Sequence, residues 1–571
     1  MPKAIALANN DVAQLVWRYD GKIPGCLGFA VHRKEEPDGQ WEPLPAWVAF
    51  EGQDNSSWTP HTTEEWPVQK FEWRDLTADR GKTYSYRIVP TTGSPGAGAP
   101  LTLSLDRAVF TNPVTLTPDR GSFRTYFNRG ILSTQFLVHA LPTGPSGTPD
   151  STALDSQIDQ PGNPLRVALA GQIIEGVALL LRRAASEGGS CYAALYELND
   201  PELLALLLEA HGLHLILSDT APNDKTNQAA RQSLHAAAGV DIIDRFLASG
   251  HIGHNKFCVW ADSQGTAKAV MLGSTNWTDT ALCAQSNNAL VVENATLAAA
   301  YLDYWNRLKT DTTLDNARQG QALRSRNATP GAADLPIDEG LATVWFSPNP
   351  KGPRVSHPGP NEETPPDLAQ VFALMAQARQ AILFLEFQPG TPSVIGYAAK
   401  CLANKPELFV RGAVTDPKAV GDFTTTLTHR GVGDEADVVA ASAIGDQFAD
   451  WQRELLKASP GAHAIIHDKI VVIDPMSAHC VVVTGSHNQG YRASYNNDEN
   501  LLIVRGHRDL AQAYAVHVMD VYDHYRFRYL LEKSGEAAFS GLQRDDSWQN
   551  RYFDPTDAAS KDDVLWFPKQ D

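Results

Sequence analysis

The sequence predicts an α/β protein built of two similar halves behind an all-β module. Three observations carry that expectation. A short β-branched stretch with a His-x-Lys pair occurs twice, at His254 and Lys256 and again at His467 and Lys469. Around each copy, short apolar runs alternate with segments of helical periodicity, as sheets covered by helices require. Ahead of both, residues 1–114 show brief alternating segments separated by turn residues, the pattern of antiparallel strands.

The second copy is the clearer. Residues 465–473 are short and β-branched, so they read as one strand, with His467 and Lys469 on one face and Asp468 and Asp474 on the other. An imidazole beside an ammonium suits an anionic substrate such as a phosphate. The turn Gly485-Ser486-His487-Asn488 adds a hydroxyl, backbone N–H groups and an amide. The first copy repeats the plan with the turn Gly273-Ser274-Thr275-Asn276. The intervals from Gly273 to Asn288 and from Gly485 to Asn500 are equal, and each leads into an apolar strand and then a closing helix. One His-x-Lys pair on a half-buried strand is as often accidental as functional. Two copies with the same turn at the same distance are a duplicated site.

With these residues the chain resembles the phospholipase D superfamily, whose signature is His-x-Lys-x4-Asp followed by a Gly-Ser-x-Asn turn. The second copy matches throughout, at His467, Lys469, Asp474, Gly485, Ser486 and Asn488; in the first, the acid, Asp262, comes one residue late. The resemblance covers roughly residues 116–535. It implies two α/β halves related by a pseudo-twofold axis, each a mixed, mainly parallel sheet with helices on both faces. It also implies one active site between them. There one histidine attacks phosphorus, by family resemblance His254, and the other, His467, protonates the leaving oxygen. Lys256, Lys469, Asn276 and Asn488 would hold the non-bridging oxygens, and Ser274 and Ser486 would bind substrate or fix the turns. Asp262 and Asp474 would brace the motif loops. An oriented histidine needs an acceptor on its second nitrogen. Glu499 is the candidate partner of His467, and the equivalent first-half residue is Asn287.

In order along the chain, residues 1–114 read as a β-sandwich; Trp17, Leu76 and the Tyr84-Ser85-Tyr86 stretch resemble a fibronectin type III domain. Its tryptophans, Trp41, Trp47, Trp58 and Trp66, read as core and loop anchors before ligand contacts. Residues 115–330 form the first half with its linker. A loop over 141–164 is a candidate lid; a helix over 165–185, strands over 190–198 and 213–218 and a helix over 201–210 follow, and 294–309 is the closing helix. Residues 311–340 are polar and read as the connection. Residues 331–571 form the second half with a C-terminal tail. Its strands fall at 342–346, 381–387 and 408–414, a second Pro-rich loop at 352–367, and a long closing helix at 508–531 whose Tyr522, Tyr525, Phe527 and Tyr529 are expected between the halves. Leu385-Glu386-Phe387 echoes Tyr196-Glu197-Leu198, so Glu197 and Glu386 are each expected at a strand end near the cleft, or as ordinary capped residues.

Lys plus Arg number 48 and Asp plus Glu 66, a net charge of −18. That balance opposes a broad nucleic-acid-binding face but permits a local basic groove. The six cysteines form no C-x-x-C pair, so neither a zinc site nor a disulfide framework is expected. His251 with His254, or His463 with His467, would make only a poor metal pair, and no cofactor is expected. No apolar run reaches transmembrane length and the first residues do not resemble a signal peptide, so a cytoplasmic location is expected. The expected partner is a phosphodiester: a phospholipid first, reached by peripheral contact with a membrane, and a nucleic acid second. Three functions compete: a phospholipase D-type phosphodiesterase working through a phosphohistidine, a metal-independent nuclease of the same fold, and a non-catalytic binding or assembly protein. The sequence points to no partner for the N-terminal module.

Overall fold

In the computed structural model the described residues are 3–567 apart from 56, 58, 97–99, 130–155, 220–224, 248–249, 315–317, 351–362, 388–389, 391–392, 416–437, 441–464 and 535–540. Both candidate lid stretches, His463 and Trp58 therefore lie wholly or largely outside them.

Two eight-stranded sheets repeat one strand order. The first runs Asp119–Arg120, Phe123–Phe127, Asn288–Val292, Ala267–Gly273, Lys256–Ala261, Ser190–Leu195, Leu213–Asp219, Val240–Phe246. The second runs Ala332–Ile337, Gly340–Phe346, Asn500–Arg505, Val481–Gly485, Lys469–Ile473, Ala381–Glu386, Phe409–Val414, Val438–Ala440. Both are mixed, as expected, but the expectation of mainly parallel pairing is corrected. Only the last three strands of each sheet run parallel, and the other neighbours are antiparallel. The strand–helix alternation legible in the sequence belongs to that parallel part, where crossovers need helices. The motif strands are joined by hairpins and turns, which impose antiparallel neighbours.

Each motif strand is buried on both faces, so its residues serve two cores in alternation. Phe257, Val259, Ile470 and Val472 face a central core between the sheets, filled by the closing helices Ala295–Thr312 and Arg508–Ser534 through Tyr301, Tyr304, Trp305, Tyr514, Tyr522 and Tyr525. Cys258 and Trp260 face an outer core under helix Ile173–Glu187. Val471 and Ile473 face the matching core under helices Pro366–Ala376 and Val394–Asn404. Of the residues expected between the halves, Tyr522 and Tyr525 are there. Phe527 is exposed instead, because it falls past the end of the buried stripe.

The helix expected over 165–185 is two, Pro164–Ala170 and Ile173–Glu187, bent by 91°. Gly171 makes the break with φ at +57°, and a Cβ there would meet Asp11 Oδ2 at 3.1 Å and the Phe127 carbonyl oxygen at 3.2 Å. Asp200 caps Pro201–Glu209 by accepting from the Leu203 N–H. The connection is also more ordered than its polarity suggests. It holds helix Gln321–Arg326, and Ala332–Ile337 is the edge strand of the second sheet.

The N-terminal module pairs a three-stranded antiparallel sheet (Lys3–Ala8, Ala13–Arg18, Glu72–Asp75) with a larger one built on Gly28–Glu35 and Thr83–Thr92. The tail, which carried no signal in sequence, returns to this module. Trp548 sits in its core against Phe29 and Phe71 at centroid distances of 5.7 and 5.6 Å and donates to the Cys26 carbonyl. Gln549 bonds both backbone groups of Ile23. Trp66 is buried and donates to Gln53. No single helix is long and apolar enough to cross a membrane among the described residues.

Candidate active site

The duplicated motifs meet at the axis between the sheets. The His254 and His467 rings lie 6.5 Å apart between centroids, inclined by 74°. The strand expected over 465–473 is split. Ile465–Ile466 pairs in parallel with Gln285–Ser286 of the first half, the chain steps out at His467 and Asp468, and Lys469–Ile473 joins the second sheet. The first copy does the same, with Gly253 bridging Asp498 and His254 standing before strand Lys256–Ala261. Each histidine is thus pinned by its own backbone to the opposite half. His254 N donates to the Asp498 carbonyl at 2.9 Å, and His467 N to the Ser286 carbonyl at 3.0 Å. The histidine and lysine therefore do not project side by side from one strand. Each lysine turns back to the histidine carbonyl, Lys256 at 2.7 Å and Lys469 at 2.5 Å. An aromatic ring closes each pair: Tyr196 lies 5.1 Å from the Lys256 ammonium, and Phe387 lies 5.2 Å from that of Lys469.

This crossing corrects the expected partner of Glu499. Its carboxylate holds His254 Nδ1 at 2.8 Å, while His467 Nδ1 is held by the Asn287 amide oxygen at 2.9 Å. The orienting residue of each half serves the other half's histidine, because each histidine sits in the other half's backbone frame. A carboxylate only accepts, so His254 carries its proton on Nδ1. The Asn287 amide nitrogen donates to the Ala281 carbonyl, which leaves its oxygen as acceptor, so His467 also carries its proton on Nδ1. Both histidines consequently keep Nε2 as the free nitrogen.

Ser274 and Ser486 do not offer their hydroxyls to a substrate. Ser274 Oγ donates to Asn287 Oδ1 and Ser486 Oγ to Glu499 Oε2, at 2.9 and 2.8 Å, and each accepts the N–H of the strand-opening Asn288 or Asn500. They fix the residues that orient the histidines. Asn276 is near the site, but its amide donates to Glu197 at 2.5 Å. The Oδ1 atoms of Asn276 and Asn488 are both buried without a partner among the described residues. Asp474 braces the start of strand Ala381–Glu386, accepting from the N–H groups of Arg379, Gln380 and Ala381 at 2.8 Å. Asp262 instead braces a surface hairpin, accepting from Gln264 and Thr266 and pairing with Lys268, so the two motif acids are not equivalent. The echo between Glu197 and Glu386 is out of register. Lys256 faces Leu195 and Lys469 faces Glu386, so Leu195 is the counterpart of Glu386 and Tyr196 that of Phe387.

One group went unread in the sequence. Asn288 donates to Asp468 at 2.7 Å, and Asn500 donates to Asn255 at 3.0 Å. Asp468 in turn pairs with His517, and Asn255 donates to the Tyr304 hydroxyl. The residue between His and Lys in one half is therefore tied to the strand-opening asparagine of the other. Its signal was the shared position of Asn288 and Asn500.

Burial sets the electrostatics. It pushes His254 down to about 4 against the pull of Glu499. It takes His467 well below its ordinary value, helped by Lys469, Lys256 and His254. Burial also lowers Lys256 to about 7 and Lys469 to about 8. Glu499 stays below the usual carboxylate range despite its burial, because His254 holds it there. Among the described residues no three His, Cys, Asp or Glu side chains converge as metal ligands would.

The family model described as cardiolipin synthase, PLD-like domain, matches residues 180–309 and 438–520, one segment in each half. Each segment contains one motif copy, so a PLD-like domain match falls in each half, on either side of the site. Solved structures the chain is similar to include a phospholipase D family member, Nuc, from Salmonella typhimurium. That match has 17% identity and a TM-score of 0.23, covering 33% of this chain and 97% of that one. Phosphatidylserine synthase of Haemophilus influenzae matches at 14% identity and a TM-score of 0.39, over 61% of this chain and 84% of that one. Yeast tyrosyl-DNA phosphodiesterase matches at 8% identity and a TM-score of 0.33, over 56% and 84%. A search of curated proteins finds no match.

Proposed function

We propose that this chain is a phosphodiesterase that cleaves or transfers a phosphodiester through a phosphohistidine, with a phospholipid as the favoured substrate. The observation that carries the reading is the pair of histidines sharing one space, each with Nδ1 fixed and Nε2 free, beside two buried lysines. His254 is assigned as nucleophile. Its Nε2 forms the bond to phosphorus as the bond to the leaving oxygen breaks, and the positive charge that develops on the ring is stabilised by Glu499. His467 has a neutral orienting partner and is assigned as the acid. Burial and the two ammonium groups hold it neutral at rest, and a bound anion offsets the ammonium charges, which favours its protonation once substrate is bound. It gives that proton to the leaving oxygen, then takes one from water or an alcohol that attacks the phosphohistidine. Lys256 and Lys469 bind the non-bridging oxygens. Two inversions retain configuration at phosphorus.

Lipid is favoured by the acidic balance of the chain and by the lipid-synthase name of the matching family model. The deciding experiment incubates the protein with phosphatidylcholine and phosphatidylglycerol vesicles in parallel with labelled single- and double-stranded DNA and RNA. Release or exchange of a lipid headgroup supports the reading. Cleavage of nucleic acid alone would move the substrate to the nuclease alternative, and no turnover of any of them would leave a binding protein.

A further inference from the structure

Strand Ala381–Glu386 ends in an acid that no described residue satisfies. Glu386 is fully buried, and neither of its carboxyl oxygens has a hydrogen-bond partner among the described residues. Its cross-strand neighbour is Lys469, so the two side chains share a face of the sheet. Phe384 and Val471, one strand period away from each, lie in the outer core of the second half, which identifies that face. On its other side the register neighbour is Val414, which is uncharged. The charged groups that reach it come from one strand, Lys469 and the adjoining Asp468. The first half has a leucine, Leu195, in the corresponding place beside Lys256. The duplicated frame therefore accepts an apolar residue here, and the second half carries an acid in spite of the cost of desolvating it. Buried groups left unpaired at this cost point to a ligand that completes them.

We propose that Glu386 is a substrate-contacting residue of the second half, donating a hydrogen bond from its carboxyl O–H to a phosphodiester oxygen beside Lys469. The inference rests on the phosphodiester reading of the site and names a group that reading does not use. Burial holds the carboxyl well above the usual range, Lys469 opposes this and Asp468 adds to it, which favours the protonated form. A neutral acid attracts a phosphate oxygen where a carboxylate would repel it. The donor sits on the His467 side only, so it polarises the two lysine positions unequally.

The test uses the full chain with Glu386→Gln and Glu386→Leu, the latter copying the residue found at Leu195. Inorganic phosphate affinity is measured by titration calorimetry, and turnover with bis(4-nitrophenyl) phosphate. Glutamine keeps a donor and is expected to bind phosphate within about 3-fold of the parent. Leucine removes one charge-assisted hydrogen bond and is expected to weaken binding about 10-fold or more. The leucine variant should also melt above the parent, because it replaces an unpaired buried acid with an apolar side chain; that result separates lost binding from lost folding. Parental affinity in the leucine variant overturns the proposal, as does a glutamine variant as weak as leucine, which would show that the negative charge is what matters. A parent that binds phosphate without cleaving the aryl diester refutes the phosphodiesterase reading and leaves Glu386 to be judged on affinity; a parent that binds no phosphate refutes both.

Discussion

Glu499 and Asn287 hold the same place in the two halves, but only one carries charge, and that difference assigns the histidines. Glu499→Gln keeps the hydrogen bond and loses the charge that steadies the His254 imidazolium. Turnover should fall about 10⁴-fold with phosphate affinity little changed, by analogy with a triad whose acid is neutralised; a fall below 5-fold would reverse the assignment. His254→Asn and His467→Asn should both fold and both lose turnover. A substrate with a good leaving group, which needs little protonation, should still label the His467→Asn protein slowly and never label His254→Asn. Label on His467 would exchange the roles. The lysines set the pH limit. Their pKa values are depressed by burial to about 7 and about 8, so both are charged below pH 7 and lose that charge as pH rises through 8. KM for an aryl phosphodiester, itself a monoanion throughout, should therefore rise above pH 8, which a pH profile of initial rates reads directly. Since the proposed mechanism takes its positive charge at phosphorus from these ammonium groups, excess chelator should leave that rate unchanged; loss on chelation with rescue by added metal would defeat the mechanism.

At the scale of elements, the site depends on strands that change partners. Ile465–Ile466 and Gln285–Ser286 pair across the halves, and the histidines stand where the chain crosses. A continuous strand was the natural reading of residues 465–473 because nearly all are β-branched, and propensity does not say which sheet a residue pairs with. Central strands also carry tight contacts that the pattern hides. Gly412 lies in strand Phe409–Val414, and a Cβ there would stand 2.2 Å from the Phe384 ring. Gly412→Ala should destabilise by about 1–3 kcal/mol as overpacking does. The double variant with Phe384→Leu should recover part of that loss in denaturant unfolding; strictly additive losses would show that the two residues do not share the space.

Across the whole molecule, the tail returns to complete the N-terminal module. Trp548→Ala should cost about 3–5 kcal/mol, the range for a buried aromatic. The loss should appear in unfolding of the N-terminal module, while His254 and His467, held by Glu499 and Asn287 rather than by Trp548, keep their geometry. The molecule should also be acid-labile. His254 and His524 are lowered by burial to about 4, and His467 lies well below its ordinary value. Between about pH 6.5 and 4 the unfolded chain then binds protons that the native state refuses, so stability rises with pH and is lost as pH falls through that window. Each unit of such a shift is worth about 1.4 kcal/mol at its limit. Thermal melts from pH 7.5 to 4.5 check this, and a flat profile would contradict it.

The sequence by itself determined the duplication, the α/β halves and the membership of the site in His254, Lys256, His467 and Lys469. Repeated spacing survives any rearrangement of the backbone, and residue types state their own chemistry. The parallel part of each sheet was equally legible, because helical crossovers leave a periodic trace. Tertiary structure alone decided that Glu499 serves His254, that Ser274 and Ser486 buttress the orienting residues, that Glu386 matches Leu195, and that the tail completes the N-terminal core. All four depend on which segments meet across the pseudo-twofold axis or between the ends of the chain. Those contacts are fixed by packing between residues far apart in sequence, and no local period records them.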